Sequence, residues 1–310
     1  MFSENAGMTW DEACTKALLH VPAIKKNYPH YLEEMTGIAN GAGVAFEDIL
    51  ALNTRSEIAL LTSPDGCTSF ALSKPKTKKT WLAQNWDWKE SQADSIIHLE
   101  IQQSSLPTIE MITEAGIIGK IGCNSAGIGV CLNALKTNQW QPKLPIHLGL
   151  RAILDSRTFD EAISKVDDNQ IASAAHFFIA SNSEELVSME VSPVHTAKIR
   201  PRFGMLQHTN HICSEPMKQD MDEITKPDSY QRLHTAVKLL DTHQTGQINQ
   251  ATLFHWLADH QNYPNSICRH NDPNQAEPDK VETVFSIVMN LSDHQLDWVK
   301  GKPCEFDKFK

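Results

Sequence analysis

From Cys67 onward the chain changes character, as a helix-forming start gives way to short runs in which apolar and polar residues alternate. Period-two alternation bounded by Gly, Pro or Lys marks half-buried strands. The pattern predicts strands at 68–72, 80–86, 95–101, 108–112, 117–122 and 128–132. Runs this short, separated by turn residues, favour antiparallel pairing. Helices at 146–154 and 158–165 separate them from a second strand group at 176–180, 185–191, 196–199 and 205–209. Helices at 229–240 and 250–260 then precede closing strands at 281–291 and 295–299. Strand groups interleaved with helix pairs imply an α+β chain whose mainly antiparallel sheets are covered by helices in layers.

Before Cys67, apolar residues recur at helical spacing over 8–19 and 23–40, interrupted only by Pro22 and Pro29. Gly41-Ala42-Gly43 ends that block, a third helix is expected over 46–61, and Ser63-Pro64-Asp65-Gly66 reads as a turn. The chain therefore divides into a helical segment, 1–66, and a strand-rich part, 67–310. At 310 residues and 41% hydrophobic content the two can share one globular domain. A formal net charge of -10 gives no basic face for a nucleic-acid or anionic-membrane partner. The one basic cluster, Lys74 to Lys79, reads as a solvated hairpin turn. No uninterrupted apolar run reaches ~18 residues, and Met1 to Trp10 lack a basic region followed by an apolar one. With no Ser-Lys-Leu ending either, a cytoplasmic location is expected. Seven cysteines, an odd number without CxxC spacing, are expected as free thiols.

Gly66-Cys67 sits at the break between the two parts. A cysteine opening a strand can be no more than a small buried hydrophobe. It becomes a nucleophile only if activated, because a thiol with pKa ~8.5 is mostly protonated at neutral pH. Cutting the peptide before Cys67 would supply that activation, since the freed α-amino group, pKa ~8, is a base beside the thiol. Gly66, without a Cβ, leaves its carbonyl open to the Cys67 sulfur, and the resulting thioester would be hydrolysed.

The surrounding segments narrow the choice. Leu52-Asn53-Thr54-Arg55-Ser56-Glu57-Ile58, Asp65-Gly66-Cys67-Thr68-Ser69, Gln84-Asn85-Trp86-Asp87-Trp88 and the run from Glu114 to Gly122 resemble the acyl-coenzyme A:6-aminopenicillanic acid acyltransferase (isopenicillin N acyltransferase) family. Asn124-Ser125-Ala126-Gly127, Leu132-Asn133-Ala134-Leu135, His208-Thr209-Asn210-His211 and Ser266-Ile267-Cys268-Arg269 extend the match, in order, across roughly residues 28 to 292. The resemblance implies an N-terminal nucleophile (Ntn) hydrolase: a four-layer αββα sandwich and a precursor that cuts itself before its nucleophile. It makes Cys67 both the self-processing residue and the catalytic one, acting on amides or thioesters.

Asp87, 20 residues after Cys67, is the candidate to hold the new ammonium group, and in the family pattern it follows Gln-Asn-Trp as here. Asn133 and Asn210 are candidates for the oxyanion hole, where a side-chain N–H aimed at developing charge is worth ~3 kcal/mol, although ordinary turn chemistry also suits both. The resemblance favours Asn210. It also implies that the Arg269 guanidinium stands close to the nucleophile and favours the thiolate. Trp86 and Trp88 can line the acyl pocket or simply pack the core. Arg55, paired with Glu57 or another acid, reads as structural.

No metal is expected. His208 and His211 lack helical i, i+4 ligand spacing. Gly127-Ile128-Gly129 lacks the third glycine of a dinucleotide loop, so no cofactor is expected, with acyl-coenzyme A possible only as a substrate. The expected partner is a small N-acyl amide or acyl thioester, with the acyl group passed to water or to an amine. The two fragments are expected to stay together as a heterodimer. The alternative is an uncut homologue that keeps the fold and binds a small ligand or protein partner.

Overall fold

The computed structural model describes residues 7–59, 66–224, 227–274 and 280–306. The expected turn at Ser63-Pro64-Asp65 and the chain ends lie outside them. Among the described residues five helices come first: α1 (Trp10–Leu18), α2 (Val21–Asn27), α3 (Pro29–Ala42), α4 (Phe46–Asn53) and α5 (Arg55–Ala59). The prolines that interrupt the apolar pattern start helices rather than bend them: Pro22 lies in the first turn of α2 and Pro29 opens α3. At those positions no intrahelical N–H is lost.

A five-stranded sheet contains β1 (Gly66–Leu72), β2 (Trp81–Lys89), β10 (Met205–His208), β11 (Val281–Asn290) and β12 (Gln295–Lys300), in the order β10-β1-β2-β11-β12. A seven-stranded sheet takes β3 (Ile96–Ile101), β4 (Ile109–Glu114), β5 (Ile121–Asn124), β6 (Ile128–Ala134), β7 (Ala175–Ser181), β8 (Leu186–Val191) and β9 (Thr196–Ile199) in sequence order. Every ladder between these strands is antiparallel. The sheets meet face to face through β1 and β2 against β6 and β7. Gln84 fastens them: its amide donates to Leu132 O, and its Oε1 accepts from Leu132 N at 3.0 Å.

Helices cover both outer faces. α9 (Pro227–Thr242) and α10 (Gln250–Leu257) lie on the five-stranded sheet, while α6 (Ile146–Leu154) and α7 (Phe159–Ser164) lie on the other. The expected αββα order is therefore present. The amino-terminal helices join the α6 side, where Asn53 donates to Gly116 O and Tyr31 donates to Asp155.

Three local expectations need correction. The strand expected over 117–122 begins only at Ile121, because Ile118 turns its backbone to helices, donating to Asn53 and accepting from Arg151. A short helix, α8 (Glu215–Asp220), stands where no periodicity announced one. The 74–79 segment does link β1 to β2, but Lys76 is buried, with its ammonium donating to Leu240 O at 2.6 Å and His243 O at 2.8 Å. It caps the carboxyl end of α9, where unpaired carbonyls need donors.

Candidate active site

Register decides which way each site residue points. Gly66 pairs with Asp87 and Cys67 with Trp86 in the β1–β2 ladder. Cys67, Ser69, Gln84, Trp86 and Trp88 consequently face the second sheet, while Gly66, Asn85 and Asp87 face the layer of α9 and α10. Asn85 holds that layer in place, donating to Leu257 O and Ile267 O.

On the helix side, Asp87 is fully buried. Its Oδ1 accepts from Thr283 Oγ1 at 2.7 Å, across a bulge at Val284 where β11 slips one residue against β2. Its Oδ2 faces Arg269 Nε at 3.5 Å, too far for a hydrogen bond, and receives no donor. Arg269 is held by Asn265 Oδ1 and by an ion pair with Asp228. Burial raises the Asp87 carboxyl to about 6, against the opposing pull of Arg269 and Arg232. A Cβ on Gly66 would lie 2.8 Å from Asp87 Oδ2 and 3.1 Å from Arg269 Nε, so only glycine fits above this pair.

Arg232, which sequence reasoning missed, grips the same junction from α9. It is buried and donates to Cys67 O, Thr68 Oγ1 and Asn210 Oδ1, while its i, i+4 partner Asp228 receives its remaining charge. Asn210 Oδ1 also accepts from Cys67 N at 2.8 Å, and its Nδ2 donates to Ala134 O at 3.2 Å. The Asn210 amide thus holds the Cys67 backbone nitrogen, and its own N–H is directed to the β6 backbone.

On the intersheet side, Cys67, Trp86 and Trp88 are all buried. Asn133 reaches the same face of β1: its Oδ1 accepts from Ser69 Oγ at 2.5 Å and lies 2.9 Å from His176 Nδ1. Its Nδ2 is buried without an acceptor. A buried amide donor left unpaired costs ~1–3 kcal/mol and is the kind of group that awaits a developing negative oxygen.

Beyond it lies a charge cluster to which the sequence alone assigns no role. Lys120 sits 3.4 Å from the centre of the Trp86 ring and 2.8 Å from Glu114 Oε2, and Arg55 joins Glu114 while lying over Trp88. Arg55 thus pairs with Glu114, not with Glu57. Burial pulls the Lys120 ammonium down to about 7, opposed by Glu114 and, more weakly, by Cys67. Burial pushes Glu114 up, yet Arg55 and Lys120 together hold its carboxyl well below the usual range.

The two histidines near Asn210 are otherwise engaged. His208 Nε2 lies 2.8 Å from Glu190, whose carboxylate also accepts from Cys213 N and Ser214 N, and His211 Nδ1 lies 2.8 Å from Ser229 Oγ. A cavity of about 410 Å³ opens beside them, lined by Arg200, Arg202 and Leu206 among others, and it does not include Cys67.

With this geometry in hand, kinship can be read. The family model for acyl-coenzyme A:6-aminopenicillanic acid acyl-transferase matches residues 73–304. The chain belongs to this family. Within it, the acyl-coenzyme A:6-aminopenicillanic-acid-acyltransferase 40 kDa form of Emericella nidulans is 37% identical over 286 residues, spanning 90% of this chain and 77% of the relative. Solved structures agree at the level of fold. The N-acylethanolamine-hydrolyzing acid amidase ortholog of Caenorhabditis elegans aligns with TM-score 0.53 and 16% identity, covering 73% of this chain and 93% of its own. A mutant of conjugated bile acid hydrolase from Clostridium perfringens aligns with TM-score 0.50 and 12% identity, over 76% of this chain and 92% of its own. The family match makes this chain a member of an enzyme family of acyltransferases, and the solved structures share its fold.

Proposed function

We propose that the chain is a self-processing cysteine Ntn enzyme that cuts itself between Gly66 and Cys67 and then acts on small N-acyl amides or acyl thioesters. The observation that carries this is Asp87 Oδ2, which has no hydrogen-bond donor, only Arg269 Nε at 3.5 Å, and is buried against the glycine that precedes Cys67. A buried carboxylate oxygen without a donor is costly, and the ammonium freed at Cys67 would be a charged donor for it.

In the first step the Cys67 sulfur attacks the Gly66 carbonyl carbon. The peptide C–N bond breaks, the nitrogen takes a proton to become the α-amine, and a Gly66–Cys67 thioester remains. Water then cleaves the thioester, giving a Gly66 carboxylate and returning the thiol. In turnover the thiol attacks a substrate carbonyl with the α-amine as base, the leaving amine or thiol takes the proton, and the acyl-cysteine passes its acyl group to water or to an amine. Asn133 Nδ2 is the oxyanion donor favoured by its lack of any other partner. Asn210 acts by holding the Cys67 nitrogen, and Arg269 and Arg232 hold Asp87 and Asn210 in place. Trp86 and Trp88 form the apolar wall beside the sulfur. Fragments 1–66 and 67–310 would remain together, since Asn53, Tyr31 and Arg55 bind the strand-rich part through buried contacts.

Purified protein should yield these two fragments by intact mass, and Cys67→Ala should stay whole. A wild-type chain that remains single, with Met1 as its sole amino terminus after prolonged incubation, would favour the uncut, non-catalytic alternative. Cleaved protein offered penicillin V, N-acyl amino acids, or 6-aminopenicillanate with acyl-coenzyme A would separate hydrolysis from transfer.

A further inference from the structure

Two cysteines and two histidines converge at the edge of the site, outside everything the proposed chemistry uses. Their candidate ligand atoms, one each from His260, Cys268, His270 and Cys304, all lie within 4.8 Å of one another. Cys268 Sγ stands 3.6 Å from Cys304 Sγ and 3.8 Å from His270 Nε2. Cys304 Sγ stands 3.4 Å from His270 Nε2, which in turn stands 3.1 Å from His260 Nε2.

These spacings match a known coordination shape. A tetrahedral zinc ion with sulfur at ~2.3 Å and nitrogen at ~2.0–2.1 Å sets ligand edges of about 3.8 Å for S–S, about 3.6 Å for S–N and about 3.3 Å for N–N. The four observed edges fall within a few tenths of an ångström of those values. Two thiolates and two neutral imidazoles also balance the ion's charge, which suits a site with one buried and two half-buried ligands.

We propose that His260, Cys268, His270 and Cys304 form a closed Cys₂His₂ zinc site. Binding releases the two thiol protons and leaves no open position, so the ion's role is structural. The site joins the turn at Pro303–Glu305 to the loop that carries Arg269. That loop is also held by Cys268 N on Asp259 O, Arg269 N on Thr283 Oγ1 and Asn85 on Ile267 O. Zinc would fix the residue beside Arg269, and through it the guanidinium over Gly66.

The test uses the full chain without a histidine tag, expressed with zinc and measured by elemental mass spectrometry. About one zinc per chain is expected, retained in Cys123→Ser and lost in Cys304→Ser. His260→Gln, whose side chain is exposed and whose fold is therefore safe, should retain far less zinc and melt at a lower temperature only when zinc is supplied. Cobalt exchanged for zinc should give the strong visible absorption of a tetrahedral ion with a thiolate-to-metal band. Wild-type chain without stoichiometric zinc after equilibration with it would overturn the proposal. So would weak octahedral cobalt absorption, full zinc retention in Cys304→Ser, or a mass two hydrogens low with Cys268 and Cys304 joined in one peptide pair.

Discussion

Gly66→Ala isolates the geometry of the cut from the chemistry of turnover. The added methyl would stand 2.8 Å from Asp87 Oδ2, 3.1 Å from Arg269 Nε and 3.2 Å from Arg269 Nη2. Neither neighbour can step aside: Asp87 is tied to Thr283, and Arg269 to Asn265 and Asp228. Overpacking of this kind costs ~1–3 kcal/mol. If the resting precursor relieves it by moving the Gly66 carbonyl away from the Cys67 sulfur, the cost returns only in the transition state of self-cleavage and slows the cut roughly 5- to 150-fold. The assay follows loss of whole chain by intact mass, with a thermal melt to show that the precursor is folded. Once cut, residue 66 is the end of a separate fragment, so the mature variant should turn substrate over at the wild-type rate. Folded Gly66→Ala precursor that cuts as fast as wild type would refute the reasoning.

Three further outcomes are expected. Burial holds the Asp87 carboxyl at about 6, above its ordinary 3.8, so the folded chain binds this proton more tightly. The associated stability is fully present below 3.8 and is lost as pH rises through 6, about 3 kcal/mol in all by linkage. In a Cys67→Ala background, urea midpoints should show Asp87→Asn gaining on its parent as pH rises from 4.5 to about 7.5; a gap constant with pH refutes this. Asn133→Ala should lower kcat by ~10²–10³ with KM little changed, and a folded variant with unaltered kcat removes Asn133 from the oxyanion hole. Lys76→Met leaves two carbonyls at the end of α9 without their donor, and should cost ~1–3 kcal/mol in thermal or urea unfolding.

Strand positions could be read from short β-branched and aromatic runs bounded by turn residues, even though β1, β2, β6, β7 and β8 are buried at every position rather than on one face of the pleat. Phe70 and Leu72 pack towards α10, while Cys67 and Ala71 join the other core. The 117–122 segment misled because Ile117 and Ile118 are buried outside any ladder, whereas Ile121 pairs with Ile112. Arg232 was missed for a related reason. Paired with Asp228 one turn away, it has the pattern of an exposed helix ion pair, and only the docking of α9 on β1 buries it. Lys120 and Glu114 lay within a segment that carries the family resemblance, but no spacing rule links either to Cys67. Cys304 is 36 positions from Cys268, so no local motif could disclose their meeting.

Strand β2 works as a partition. Its odd positions, Asn85 and Asp87, face the helix layer where the proposed cut would be managed, and its even positions, Trp86 and Trp88, face the core between the sheets, on the side of the Cys67 sulfur. Because one strand separates the two, under the proposed function the apolar wall could be resculpted for a different acyl chain while the residues around Gly66 keep their contacts. If the chain activates itself as proposed, a lineage, or an engineer, could therefore change what it acts on without first having to relearn how it switches itself on.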